Sequence, residues 1–425
     1  METSSWLFLA ASLWGAWFTW NAHRPLRGPR TAALGFAAGW LTSELAIQHI
    51  AWQAVATAIF GLLGAFDAWP GLVGLGITAV SWVGLAACQW QASKAGKICD
   101  DALRAAFGDD YLERIDPSQR QYLSGNDAVD WLRLLRVFPI RRKGVEVTRD
   151  VRYGRGGGID LHLDIYRRSD APTDAPVLLQ IHGGAWIMGS KKEQALPLMN
   201  QLAEMGWVCV SADYRLSPHA TFPDHLIDCK RALAWVKENI ADFGGDPGFV
   251  AVTGGSAGGH LCALMGLTQN DPEYQPGFED ADTSVACCLP YYGVYDFLNR
   301  NQTVPGDGMV PFLEKRVMKG SPDEIPEAWD RASPISRVNE STPSFFLIHG
   351  TSDSLVPVLE AREFSKVLAE KSPSPHAFAE LPGAQHAFEL FPSFRTHLVN
   401  NAACRYLALM YSSYRGAGAP REATA

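Results

Sequence analysis

The chain has 425 residues, enough for one catalytic core of about 250 residues with additions. Its formal net charge of −8, with no extended Lys/Arg-rich tract, excludes nucleic acid as the natural partner. Eight scattered cysteines include no Cys-x-x-Cys pair, and the adjacent Cys287 and Cys288 fall on a strand pattern that sends them to opposite faces. They read as buried thiols rather than a zinc or disulfide framework.

Residues 1–92 are different material from the rest. Segments 6–20, 32–66 (with a polar interruption) and 69–90 are almost wholly apolar, with Trp6, Trp20, Trp69 and Trp90 near their ends, as expected of bilayer spans. Glu2 and the lack of an early Lys or Arg argue against a cleaved signal peptide. The middle segment would be about 50 Å long as one helix, long for one span and tight for two. Its Glu44, Gln48, His49 and Gln53 either share one face inside a helical bundle or mark an interfacial kink. Arg24, Arg27 and Arg30 follow the first span, and Lys94, Lys97 and Arg104 follow the last. With three spans both clusters fall on the cytoplasmic side, which places the catalytic region there.

Residues 93–143 are charged and amphipathic, with Trp131, Leu132, Leu134, Leu135 and Val137 before Pro139, and read as connector or cap helices. From 144 to 413 strands alternate with helices. Strands are expected at 145–153 and 159–166, joined by a turn at 154–158, and at 177–182, 207–212, 249–253, 285–291, 345–349 and 377–381. Helices are expected at 225–243, 257–269, 358–371 and 395–411. The alternation implies an α/β fold with a mostly parallel sheet covered on both faces and ligands bound beyond the carboxyl ends of the strands. Residues 414–425 read as a disordered tail.

Gly254, Ser256 and Gly258 spell G-x-S-x-G between a strand and a helix, a strained elbow that exposes a nucleophilic hydroxyl. A helix cap is the simpler reading of the same serine. A nucleophilic serine needs a base, an orienting acid and oxyanion donors. Gly183 and Gly184, in His182-Gly183-Gly184-Ala185-Trp186 after a strand, offer backbone donors, and Ala257 at a helix start offers a third. His386 is the candidate base, because it follows the last strand on a Gly-containing loop. His349, His376 and His397 fall on or beside regular elements and read as packing or surface residues. Asp353 follows the preceding strand and is favoured as the acid over Asp296. Trp186, Tyr292 and Phe388 are candidate substrate-pocket residues. Residues 295–336, with Phe297, Met309, Phe312, Met318 and Trp329, are too long for a simple connection and read as a cap-like insertion. No metal-ligand set or cofactor motif competes with this reading.

Several segments resemble the hormone-sensitive-lipase-like carboxylesterases of the α/β-hydrolase superfamily. They are the His182 motif, Asp213-Tyr214-Arg215-Leu216-Ser217-Pro218, Phe243-Gly244-Gly245-Asp246-Pro247, the Ser256 elbow, the Asp353 loop and the His386 loop. The likeness covers about residues 145–411, and the apolar N-terminus is similar to that of a bacterial, actinobacterial-like membrane-anchored subgroup. The resemblance implies an α/β-hydrolase fold and a serine carboxylesterase or lipase without a cofactor. It makes Ser256 the nucleophile, His386 the base, Asp353 the acid, and Gly183, Gly184 and Ala257 the oxyanion hole. A small-molecule or lipid ester would be the substrate and membrane lipid the partner of the anchor. Gly255 stands where many members carry Asp, a choice similar to formamidase-like and isoprenylcysteine-methylesterase-like branches. An amidase or formamidase with the same triad, or a catalytically silent interaction module, is the alternative.

Overall fold

The computed structural model describes residues 2–28, 30–124, 134, 140, 142–170, 172–304 and 306–418. Four apolar helices open the chain: α1 (Glu2–His23), α2 (Ala32–Glu44), α3 (Ala46–Leu62) and α4 (Trp69–Ser93). They pack through small hydroxyl residues: Thr19 and Ser81 share a 2.6 Å hydrogen bond, and Thr78 donates to Ser12 at 2.9 Å. Outside this region the described large apolar side chains that stand exposed are only Ile159, Met188, Leu359 and Tyr414. Trp14, Trp20, Leu62, Val80, Val83 and Trp90 are among the many exposed within it. Polar contacts inside and an apolar surface outside invert the usual soluble arrangement.

By length and composition, one described helical run, Trp69–Phe107, suffices to cross a bilayer. The pair α2 and α3 passes the same test together but bends by 88° at Leu45. That bend rules out a single continuous helix face for the four polar residues of the middle segment. Glu44 turns to Arg395, Gln48 donates to the Leu134 carbonyl, His49 meets Trp52, and Gln53 lies beside Gly15 of α1. These four residues share no common face, because the helix breaks between the first and the rest.

The connector begins as α5 (Ala95–Phe107) and α6 (Pro117–Ser124). Of the apolar run that follows only Leu134 is described; Trp131, Leu132, Leu135, Val137 and Pro139 lie outside the described residues. The region from residue 144 then builds one eight-stranded sheet in the order β1-β2-β4-β3-β5-β6-β7-β8. The strands are β1 (Val145–Gly156), β2 (Ile159–Arg168), β3 (Ala175–Ile181), β4 (Val208–Ala212), β5 (Gly245–Gly255), β6 (Cys287–Tyr291), β7 (Ser344–Gly350) and β8 (His376–Leu381). Strands β1, β2 and β4 pair antiparallel and all others parallel. The β1–β2 turn is tighter than expected: it occupies only Gly157 and Gly158, at φ 54° and 85°. Two successive positive φ values match the right-handed twist of the hairpin, so the strand runs on to Gly156.

Every residue of β3 is buried because helices cover both faces. Leu179, Val252 and Cys288 face the layer of α8 (Asp224–Asn239) and α9 (Ala257–Leu267), while Leu178, Ala251 and Cys287 face the layer of α5, α7 (Leu196–Glu204) and α12 (Phe394–Gly418). This is the expected α/β-hydrolase architecture, and all eight cysteines are free and buried. Helices α10 (Pro326–Arg331) and α11 (Leu359–Lys371) lie between α9 and α12 in the chain. Helix α7 has no motif and was not expected. The C-terminal helix continues through Gly418, so 414–418 is not a disordered tail; 419–425 lie outside the described residues. Within the 295–336 insertion, Phe297, Met318 and Trp329 are buried in the same core as α9, while Met309 and Phe312 pack at its edge.

Candidate active site

Strand β5 ends at Gly255, paired with Tyr291, and α9 starts at Ala257. Ser256 alone makes the turn between them, at φ 59° and ψ −122°, a conformation that costs about 1–3 kcal/mol for a residue with a side chain. Its N–H donates to the Tyr291 carbonyl at 3.0 Å, and its own carbonyl accepts from His260. The flanking glycines answer to close approach. A Cβ on Gly258 would lie 2.1 Å from the Ile181 carbonyl oxygen, so helix and β3 meet backbone to backbone. A Cβ on Gly255 would lie 2.6 Å from the Tyr292 hydroxyl. The space that an Asp side chain at position 255 would take is occupied by Tyr292, the residue just past the neighbouring strand β6.

The loop after β7 presents Asp353 and the loop after β8 presents His386. His386 Nδ1–H donates to Asp353 Oδ2 at 2.7 Å. Asp353 Oδ1 accepts the Leu355 and Val356 amides at 2.9 and 2.8 Å. Gln385 ties the two loops, its Oε1 accepting the amides of both Ser354 and His386 at 2.8 Å. Burial would raise the Asp353 pKa, but the His386 charge and the hydrogen bonds of His349 and His386 outweigh it and hold the carboxyl far below its usual range. Ser256 Oγ has no hydrogen-bond partner among the described residues. Its neighbourhood is nonetheless shared with His386: Tyr292, whose hydroxyl faces Gly255, packs its ring 4.5 Å from the imidazole. Hydrogen bonds of this type commonly close only with substrate in place.

Gly183 lies against the elbow, since a Cβ on it would come 3.1 Å from Ser256 Cβ. Its N–H, expected to face an oxyanion, instead donates to Gln194 Oε1 at 2.6 Å. Among the described residues the Gly184 and Ala257 amides meet no acceptor. Gly184 has φ 118°, and the two residues after it, Ala185 and Trp186, also have positive φ.

A family model described as BD-FAE matches residues 163–368. Over 394 residues the chain is 40% identical to esterase LipQ of Mycobacterium tuberculosis, covering 92% of this chain and 88% of that protein. The carboxylic ester hydrolase LipM of the same organism, a probable assignment, is 41% identical over 96% of this chain and 94% of its own length. The chain belongs to the hormone-sensitive-lipase-like esterases. A solved esterase from Thermogutta terrifontis, Est2 with propionate bound, matches 65% of this esterase and 97% of its own chain at 26% identity and a TM-score of 0.52. The protein is therefore a carboxylic ester hydrolase with an α/β-hydrolase fold.

The three pocket candidates of this esterase are all buried. Trp186 donates through Nε1 to His260 Nδ1 at 3.3 Å and packs edge-on against Phe297, beneath the site. Phe388 packs against Tyr291 and Tyr292. The Tyr292 hydroxyl donates to Glu389 Oε1. Burial pushes the Glu389 carboxyl up to about 7, and its second oxygen has no partner among the described residues. Asp296 is committed elsewhere, to the Arg300 guanidinium at 3.0 Å and the Arg300 amide at 2.7 Å.

Motif reasoning missed three neighbours of the proposed acid and base: Gln385, Glu389 and His349. His349 donates to the Val356 carbonyl at 2.8 Å and lies 3.4 Å from Asp353 Oδ2. Gln385 alone had a usable signal, its place beside the histidine.

Proposed function

We propose that this esterase works by acylation of Ser256, with His386 as base and Asp353 as the acid that fixes its tautomer. The 2.7 Å hydrogen bond from His386 to buried Asp353, at the same sheet edge as the strained Ser256 turn, carries the reading. His386 Nε2 takes the Ser256 proton as Oγ attacks the ester carbonyl. The Gly184 and Ala257 amides receive the oxyanion, and His386 returns the proton to the departing alcohol. Water, deprotonated by His386, then releases the acid. Gly183 acts one step back, through Gln194.

The substrate class proposed is an amphipathic or lipid-derived ester of short to medium acyl length, because the apolar N-terminal helices anchor the enzyme in a membrane. Arg27 donates to the Thr351 carbonyl, and α5 packs in one core with β8, so both basic clusters lie on the side of the catalytic region. The positive-inside rule makes that side cytoplasmic.

The test is activity-based labelling of the full chain in detergent. A fluorophosphonate labels the wild type and leaves Ser256→Ala unlabelled, and Ser256→Ala and His386→Ala each lose turnover of short acyl esters by about 10³-fold or more. Retained turnover in either rejects the triad. Anilides or formamides turned over faster than esters would move the assignment to an amidase. Release of the protein from membranes by an alkaline carbonate wash would reject the anchor.

A further inference from the structure

The N-terminal helices do more than lie beside the catalytic region. Phe36, Trp40 and Glu44, at i, i+4 and i+8, share one face of α2. All three meet the loop that carries His386. The Phe36 ring stands edge-on to the imidazole at 6.1 Å and stacks on Trp40 at 5.2 Å. Trp40 Nε1–H donates to the carbonyl of Ala387, the residue after the histidine, at 2.8 Å. Glu44 accepts from Arg395 Nε at 3.0 Å and from Ser393 Oγ at 3.0 Å, with both members of the ion pair fully enclosed. Arg395 in turn donates to the Pro382 carbonyl at 2.6 Å, on the near side of the same loop.

The acid loop is gripped by the same segment. Arg27, just before α2, donates to the Thr351 carbonyl at 2.6 Å, and Ser354 Oγ donates to the Ala32 carbonyl at 3.1 Å. Two loops after two different strands, bearing the proposed acid and base, thus lean on α2 and the residues just before it, more than 300 residues away in sequence.

A tether needs none of this. A linker holds a domain near a bilayer whatever its contacts, whereas a buried ion pair and an indole donor directed at His386's neighbour fix a loop in place. Ala387 has φ 58°, a conformation that a residue with a side chain keeps only when its surroundings impose it.

We propose that α2 is a positioning element of the active site, in which Phe36, Trp40 and Glu44 hold the His386 loop in register with Asp353. The inference rests on the triad reading above. Its consequence is that catalytic competence depends on the seating of the bent α2–α3 pair, so the segment that contributes to the anchor also sets the geometry of the base.

The experiment uses the full chain in detergent micelles with a water-soluble short acyl ester, active sites being counted by fluorophosphonate titration. Trp40→Phe keeps an aromatic ring and deletes the donor; Phe36→Leu keeps apolar bulk and deletes the ring facing the imidazole. Leu34→Ala, on the exposed face of α2, is the control. Misplacement of a catalytic group by an ångström costs up to about 10²-fold. Trp40→Phe and Phe36→Leu are expected to lower kcat per titrated site about tenfold, with KM within about twofold, and to shift the pH midpoint of kcat/KM. Leu34→Ala changes none of these. Wild-type kcat per site and an unmoved pH midpoint in both variants would overturn the proposal, as would losses that merely track the fraction of folded protein. If Trp40→Phe does not fold, Phe36→Leu, which breaks no hydrogen bond, decides by the same readouts. A fully active His386→Ala would remove the triad beneath the proposal; inactive His386→Ala beside unimpaired Trp40→Phe and Phe36→Leu would remove the clamp alone.

Discussion

Replacing Asp353 by asparagine changes one atom and tests the acid–base assignment directly. Oδ1 of Asp353 accepts two backbone amides, from Leu355 and Val356, and must remain an oxygen to keep them. The new amide nitrogen is then forced into the place of Oδ2, 2.7 Å from His386 Nδ1. A donor now faces a donor. The imidazole resolves this by moving its proton to Nε2, the nitrogen that must accept from Ser256. Flipping the amide instead would leave both backbone donors facing an NH₂ group, at about 1–3 kcal/mol for each unsatisfied group. The wrong tautomer is therefore the stable outcome, and kcat should fall about 10⁴-fold, about 5 kcal/mol in the barrier.

The assay is turnover of a short acyl ester by the full chain in detergent, with Tm measured alongside. Because its folded pKa lies below the unfolded value, Asp353 contributes stability that is fully present above about pH 4 and is lost as pH falls through the depressed folded value. Asp353→Asn should accordingly lower Tm at neutral pH, with the gap narrowing in strong acid. Asp296→Asn, whose parent carboxylate is occupied by Arg300, should keep kcat within about threefold. A folded Asp353→Asn protein with kcat within tenfold of wild type, or an inactive Asp296→Asn, would refute the reasoning.

Glu389 carries a pH signature of the opposite sign. Between its ordinary value of 4.5 and about 7, the folded protein keeps a proton that the unfolded chain has released, so stability declines as pH rises through that window. The total is on the order of 3 kcal/mol. Glu389→Gln removes the slope, so the Tm of the variant minus that of the wild type should grow from pH 5 to pH 8; parallel Tm curves would contradict the assignment. The elbow glycines should differ in rank. Gly258→Ala drives a methyl into the Ile181 backbone carbonyl and should cost about 3 kcal/mol or more, whereas Gly255→Ala meets the hydroxyl and ring of buried Tyr292, a side chain that can give only by loosening its Glu389 hydrogen bond, and should cost less, about 1–2 kcal/mol. Denaturant unfolding in detergent that gives equal costs would show that the backbone contact yields as easily as the tyrosine.

Local chemistry by itself determined much of the catalytic region. The runs flanking Ser256, the apolar stretch of β3 and the loop positions of Asp353 and His386 are short-range signals, and the sheet turns them into a common rim because its parallel strands, β3 to β8, present their carboxyl ends on the same edge. Boundaries were less legible. The turn at Gly157 and Gly158 and the extension of α12 depend on pairing and packing that no window of residues encodes.

What only tertiary structure decided are the contacts of large sequence separation. The chain's own pattern left Glu44 either inside a bundle or at a kink, because its partner Arg395 is 351 residues away. Gly183 looked like a free donor until Gln194 closed on it, and Trp186 looked like a pocket wall until His260 and Phe297 enclosed it. Gly255 looked like a missing carboxylate until the Tyr292 hydroxyl filled its place. A residue's type fixes what it is able to donate, accept or bury; which neighbour takes up that capacity is settled by chain closure, and packed atoms from the nearest element get there first.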